Sequence, residues 1–196
     1  MPRIILASAS PQRKTLLEGL GVTFEVIPGT VDEDGHPEKS PVDRSVILAR
    51  LKAQEIAAKN PGAIVIGCDT LVVSYAGALL EKPVDADDAR RMLEAQSGSM
   101  SQVHSALCII DAKGGCHEAV STSSVRFKKL SAREIDWWIE TGLWRGRSGA
   151  FQIDGPGQLM IAYIEGDWTG IVGLPVFILG EQLKNAGFQI SGLPRD

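Results

Sequence analysis

A chain of 196 residues, 44% hydrophobic and 22% charged, suits one globular domain with a sizeable core, expected over residues 1–196. The net charge of −4 argues against a surface that coats nucleic acid, no apolar run approaches the roughly 20 residues of a membrane span, and the N-terminus lacks a signal-peptide pattern. The expectation is a cytoplasmic protein with neither nucleic acid nor membrane as a partner. Cys68, Cys108 and Cys116 show no C-x-x-C spacing and are expected to be small core residues. The three histidines are scattered, so any metal would be held mainly by carboxylates, as a hard cation such as Mg²⁺ is.

The apolar run Ile4 to Ala7 reads as a buried strand that enters a helix capped by Ser10 and started by Pro11. Arg13 and Lys14 fall in the first turn of that helix, where cations oppose the helix dipole. With the Ser8 and Ser10 hydroxyls and the free N–H groups of that turn, Arg13 makes an anion site suited to phosphate. Thr23 to Ile27 alternates as a strand and leads into the acidic loop Val31 to Glu38, where Glu33 is a candidate metal ligand. Ser40 caps the next helix and Asn60-Pro61-Gly62 stops it. Its apolar stripe puts Lys52 at the stripe edge, within reach of a phosphate if a cleft lies there.

Ala63 to Val73 is the most hydrophobic stretch, and it contains Asp69. A carboxylate inside a buried strand needs a compensating role, and catalytic base or metal ligand is the reading favoured over a structural cap. A strand from Leu79 to Pro83 returns with Lys82, and Asp85 caps a helix closed by Gly98. Strands Gln102–Asp111 and Glu118–Phe127 flank a hairpin turn at Lys113-Gly114-Gly115 and are read as structural. The capping box Ser131 to Glu134 starts a helix with Ile135, Trp138 and Ile139 inward. Two further strands are expected, Ala150 to Ile153 and Gln158 to Glu165, followed by a last helix from Val176 and a loose tail from Gln189.

Strands alternating with helices, with one hairpin among them, predict an α/β fold whose mixed sheet is flanked by helices and forms two lobes around a cleft. The cations Arg13, Lys52 and Lys82, the anions Glu33 and Asp69, and the lack of a Walker lysine, a G-x-S-x-G elbow or a Cys/His pair suit phosphate hydrolysis by an activated water.

The segments Leu6 to Arg13, Val31 to Glu33, Lys52-Ala53, Gly67 to Thr70, Glu81 to Pro83, Ser97-Gly98, Gly149 to Ile153 and Val172 to Pro175 resemble, in order and spacing, the Maf family of nucleoside triphosphate pyrophosphatases. The resemblance implies a curved mixed sheet related to inosine triphosphate pyrophosphatases, a Mg²⁺ or Mn²⁺ requirement, a cytoplasmic location and often a homodimer. It implies Asp69 as catalytic carboxylate, Glu33 and Asp69 at the metal, and Ser8, Arg13, Lys52 and Lys82 around the triphosphate. Gln12, Thr70 and Asp154 fall where the subgroups differ. Thr70 is what the dTTP/UTP subgroup shows, whereas an acidic residue at 154 matches the 7-methyl-GTP subgroup. The expected reaction is hydrolysis of dTTP or UTP, or of a modified nucleotide, to monophosphate and pyrophosphate. The alternatives are a 7-methyl-GTP-type pyrophosphatase or a non-catalytic nucleotide-binding regulator of cell division.

Overall fold

The computed structural model describes residues 2–33, 40–188 and 190. In chain order its elements are β1 (Ile4–Leu6), α1 (Pro11–Gly19), β2 (Glu25–Val26), α2 (Pro41–Lys59), β3 (Ile64–Val73), β4 (Leu79–Leu80), α3 (Ala86–Gln96), β5 (Met100–Ile110), β6 (Cys116–Phe127), α4 (Ala132–Thr141), β7 (Ile161–Glu165), α5 (Trp168–Val172) and α6 (Val176–Asn185). The sheet runs β2-β1-β3-β5-β6-β7, with β4 on the far end of β3. β1 is parallel to both neighbours, and every other pairing is antiparallel. The sheet is therefore mixed, as the alternation of elements predicts.

Alternation of side chains across the strands divides the first lobe into two cores. Ile4, Leu6, Ile64, Ile66, Leu107 and Ile109 pack against Leu17 of α1 and Leu179 and Leu183 of α6, while Ile5, Val65, Ala106 and Cys108 pack against Ala49, Ala53 and Ile56 of α2. A third core gathers Val72, Leu93, Val103, Phe127, Ile135, Trp138 and Phe151 in the other lobe. β3 passes from one lobe to the other, so its middle residues lie at the junction.

Gly67 sets how closely α2 lies on β3. A Cβ there would stand 2.8 Å from the Ala53 Cβ and would also collide with the Ala49 carbonyl, a backbone atom that cannot give way. Gly67→Ala is expected to cost about 3 kcal/mol or more, the top of the overpacking range, read as the shift in urea midpoint. A loss under about 1 kcal/mol would show that α2 is not seated on the glycine.

Several elements differ from the sequence reading. The strand expected at Thr23 to Ile27 shortens to Glu25–Val26. Ala150 to Ile153 is not a strand, and neither is the first part of Gln158 to Glu165; 3₁₀ turns at Ser148–Ala150 and Gly155–Met160 take their place. The backbone there is left-handed at Gly149 (φ +71°), Ala150 (φ +58°) and Gly155 (φ +59°), which no ladder accepts. Side chains satisfy the freed carbonyls instead: Gln96 Nε2 donates to the Gly149 carbonyl at 2.7 Å, and Trp138 Nε1 to that of Ala150 at 2.8 Å. The short helix α5 has a cap, Asp167, that accepts from the Thr169 N–H. Cys68 and Cys108 are buried as expected, but Cys116, at the hairpin mouth, is exposed. Residues 34–39 of the acidic loop, and the tail from Gln189 except Ile190, lie outside the described residues.

Candidate active site

A cleft of about 1100 Å³ opens between the lobes, and Ser8, Gln12, Arg13, Glu33, Lys52, Asp69, Thr70, Lys82 and Asp154 all line it. Every site residue expected from the sequence is thus brought together. Asp69 and Thr70 reach opposite faces of β3, as consecutive strand residues must. Asp69 turns to α2, and Thr70 turns to α1.

On the α2 side, Lys52 Nζ lies 2.7 Å from Asp69 Oδ1 and 2.7 Å from Glu33 Oε1, and Lys82 Nζ holds Glu33 Oε2 at 2.7 Å. Lys52 is not at the edge of its stripe, as its spacing suggested. It sits within the buried row Ser45, Leu48, Ala49, Lys52, Ala53 and Ile56, because two carboxylates replace the water its ammonium would otherwise need. Burial pushes the Glu33 carboxyl up, but the ammonium groups of Lys52 and Lys82 outweigh it and hold the group at about 2. Lys82→Ala removes one of those cations. The Glu33 titration followed by NMR is expected to move upward, with a lower kcat/KM for substrate; an unmoved titration would separate Lys82 from the site.

On the α1 side, Arg13 works as a clamp. Its Nη1 donates to Ser8 Oγ at 3.0 Å, its Nη2 to Thr70 Oγ1 at 3.0 Å, and its Nε to the Gly173 carbonyl at 2.8 Å. Thr70 Oγ1 lies 2.9 Å from Ser105 Oγ, and Ser105 donates to the Gly170 carbonyl, so the Thr70 proton goes to Ser105. The Thr70 hydroxyl is committed to holding Arg13. Three of five guanidinium N–H groups are used in this way, and two remain for an anion. Ser10 flanks α1 without a side-chain cap, so the first-turn N–H groups gain no partner from it.

At the far wall, Arg147 Nη1 donates to Gln12 Oε1, joining the two lobes across the cleft. Burial pushes the Arg147 guanidinium below its ordinary value, and the nearby Asp154 charge pulls it part of the way back. Gln12, Arg147 and Asp154 all line the cleft.

Sequence reasoning missed Arg44 and Glu81, which also line the cleft. Arg44 Nη2 donates to the Glu33 carbonyl at 3.0 Å and pairs with Glu81 Oε1 at 2.6 Å. The signal was present: Arg44 stands near the start of α2, a cation against the helix dipole, just as Arg13 does on α1. Ser148, which donates to the Thr70 carbonyl at 3.1 Å, carried no comparable signal.

Buried polar atoms without a hydrogen-bond partner concentrate here. Among the described residues they are Arg44 Nε, Asp69 Oδ2, Arg147 Nε, Asp154 Oδ1 and Asp167 Oδ2, and all but the last belong to residues lining this cleft. Orphaned buried groups are costly, so their clustering marks a surface built to be completed by a polar, charged ligand. Burial pushes the neighbouring Cys68 thiol up to about 11, which leaves it protonated and unfit as a nucleophile.

Residues 3–186 match the family model described as "Maf-like protein". A Treponema denticola protein named dTTP/UTP pyrophosphatase is 42% identical, over 97% of this chain and 100% of its own. Proteins of the same name from Deinococcus radiodurans (38% identical, 98% of this chain, 97% of theirs) and Pyrococcus furiosus (37%, 94% and 98%) align over nearly their full length. Among solved structures, a HAM1 protein from Coxiella burnetii superposes with a TM-score of 0.52 at 13% identity, covering 94% of this chain and 100% of that one, which shows a shared fold. With a family model and full-length relatives in agreement along almost the whole sequence, this chain belongs to the Maf family.

Proposed function

We propose that the cleft hydrolyses dTTP and UTP between the α and β phosphates, giving the monophosphate and pyrophosphate. The observation that carries this reading is the unpartnered Asp69 Oδ2 in a cleft whose walls carry Arg13, Arg44, Lys52, Lys82 and Arg147. A triphosphate needs such a ring of donors, and an attacking water needs an acceptor for its proton. Lys52 holds Asp69 by its other oxygen and leaves Oδ2 without a hydrogen-bond partner, available to accept that proton. The cations meet phosphate charge as it moves to the leaving pyrophosphate.

Glu33 and Asp69 are the carboxylates that would hold a divalent cation, and their all-oxygen donor set with one orphaned oxygen suits Mg²⁺ or Mn²⁺. Such an ion supplies charge neutralisation and a lowered pKa for water. The reading keeps a small-molecule substrate and a cytoplasmic setting, with a homodimer as the assembly. Among the described residues no helix is long and apolar enough to cross a membrane.

For the base, Arg147 offers a donor and Asp154 an acceptor from the cleft wall. That pair matches the O4 and N3–H edge of uracil and thymine. The O6 and N1–H edge of guanine asks for the same pair, and the names of the relatives favour the pyrimidines. Pyrophosphate release across a panel of nucleoside triphosphates tests the reading, with dTTP and UTP expected to lead. N3-methyl-UTP should be about 10- to 100-fold poorer than UTP for the native protein, because its methyl group leaves Asp154 unpaired. Asp154→Ala should erase that preference. An N3-methyl discrimination that survives the substitution would place base recognition elsewhere.

A further inference from the structure

Outside the cleft, the hairpin read from sequence as purely structural carries a second cluster. Cys108 on β5 and Cys116 on β6 bring their sulfurs to 3.5 Å, and a Glu118 carboxylate oxygen completes a triad whose ligand atoms all lie within 4.8 Å of one another. Cys108 is buried and Cys116 is exposed, so the cluster has one protected floor and one open side.

Register decides what the two thiols suit. Cys108 stands directly opposite Glu118, and Cys116 opposite Ile110, so the cysteines are diagonal neighbours. Diagonal pairs in a sheet have Cα atoms about 7–8 Å apart, beyond the usual reach of a disulfide. Two thiolates on one tetrahedral zinc at about 2.3 Å each stand about 3.8 Å apart, close to the spacing seen here. Glu118 is oriented for the same role: Arg50 of α2 grips it at 2.6 and 2.8 Å, using one lone pair on each oxygen and leaving the others free. Charge also balances, since two thiolates and a carboxylate meet a divalent ion and the Arg50 guanidinium.

We propose that Cys108, Cys116 and Glu118 form a site for a thiophilic divalent cation of the zinc class, separate from the hard-cation carboxylates of the cleft. Binding breaks two S–H bonds and forms two metal–sulfur bonds; both protons leave to solvent, no electron is transferred, and a water takes the fourth position on the Cys116 side.

The reduced full-length protein, freed of metal, is titrated anaerobically with Co²⁺ and followed by the thiolate-to-cobalt charge-transfer absorption, then with Zn²⁺ as competitor. One equivalent per chain is expected, with the band displaced by Zn²⁺. The band should vanish in Cys116→Ser, whose side chain is exposed and leaves packing intact, and in Cys108→Ser. Glu118→Gln should weaken binding by about tenfold or more. It should persist in Asp69→Asn, which touches only the cleft. No charge-transfer band at saturating cobalt, a band that survives loss of Cys116, or a band lost in Asp69→Asn with both cysteines intact would each overturn the site.

Discussion

Asp69→Asn is expected to lower turnover of dTTP by about 10²-fold or more while leaving nucleotide binding largely intact. The amide keeps the shape of the side chain, and its oxygen can still accept from Lys52, which lies 2.7 Å from Oδ1. What changes is Oδ2, the buried oxygen without a partner, which becomes an N–H₂ group that cannot take a proton from water. Steady-state kinetics with a separate measurement of nucleotide affinity distinguish the two effects. A fall in affinity with kcat unchanged would make Asp69 a binding residue, and near-native kcat/KM would reduce it to a structural partner of Lys52.

The second large effect is expected in stability. Lys52→Met leaves Asp69, only 6% exposed at its side chain, facing Glu33 with no cation between them. Breaking a buried pair in this way costs about 3–5 kcal/mol, read from urea unfolding at neutral pH. The pH dependence has a definite sign. Glu33 in the native protein is depressed to about 2, below its unfolded value of roughly 4.3, so its attraction to the lysines contributes stability above that unfolded value and is lost as pH falls toward 2. The variant lacks the Lys52 share of that contribution from the start. Its stability curve should therefore converge on the native one in acid. A constant gap across that window would assign the loss to packing of the lysine stem instead.

The legible part of this molecule was the part governed by short-range rules. The Ser40 cap accepts from the Asp43 N–H, the Ser131 to Glu134 box closes reciprocally, and β5 and β6 pair along the whole hairpin. Asp69 was conspicuous because a charge in an apolar strand is expensive, and that expense is met by Lys52 from α2. Less legible was whatever depends on partners distant in sequence. Lys52 looked like an edge residue because no local pattern announces that Gly67 lets α2 lie close to β3 and that two carboxylates wait beneath it. Ala150 to Ile153 and the start of Gln158 to Glu165 read as strands on either side of the Asp154 to Gly157 turn. The left-handed turns there exist because Gln96 and Trp138, from α3 and α4, supply the donors that a neighbouring strand would have given. Arg13 lines the cleft, and its hydrogen bonds to Thr70, Ser8 and Gly173 join residues too far apart in sequence for a local pattern to announce.

The most direct test of the account is the identity of the products. Native protein and Asp69→Asn are each incubated with dTTP and Mg²⁺, and the phosphorus resonances are followed by ³¹P NMR. The native protein is expected to give dTMP and pyrophosphate in equal amounts with no orthophosphate, and the variant to leave dTTP unchanged on the same timescale. Release of orthophosphate with accumulation of dTDP, or equal pyrophosphate production by both proteins, would contradict it.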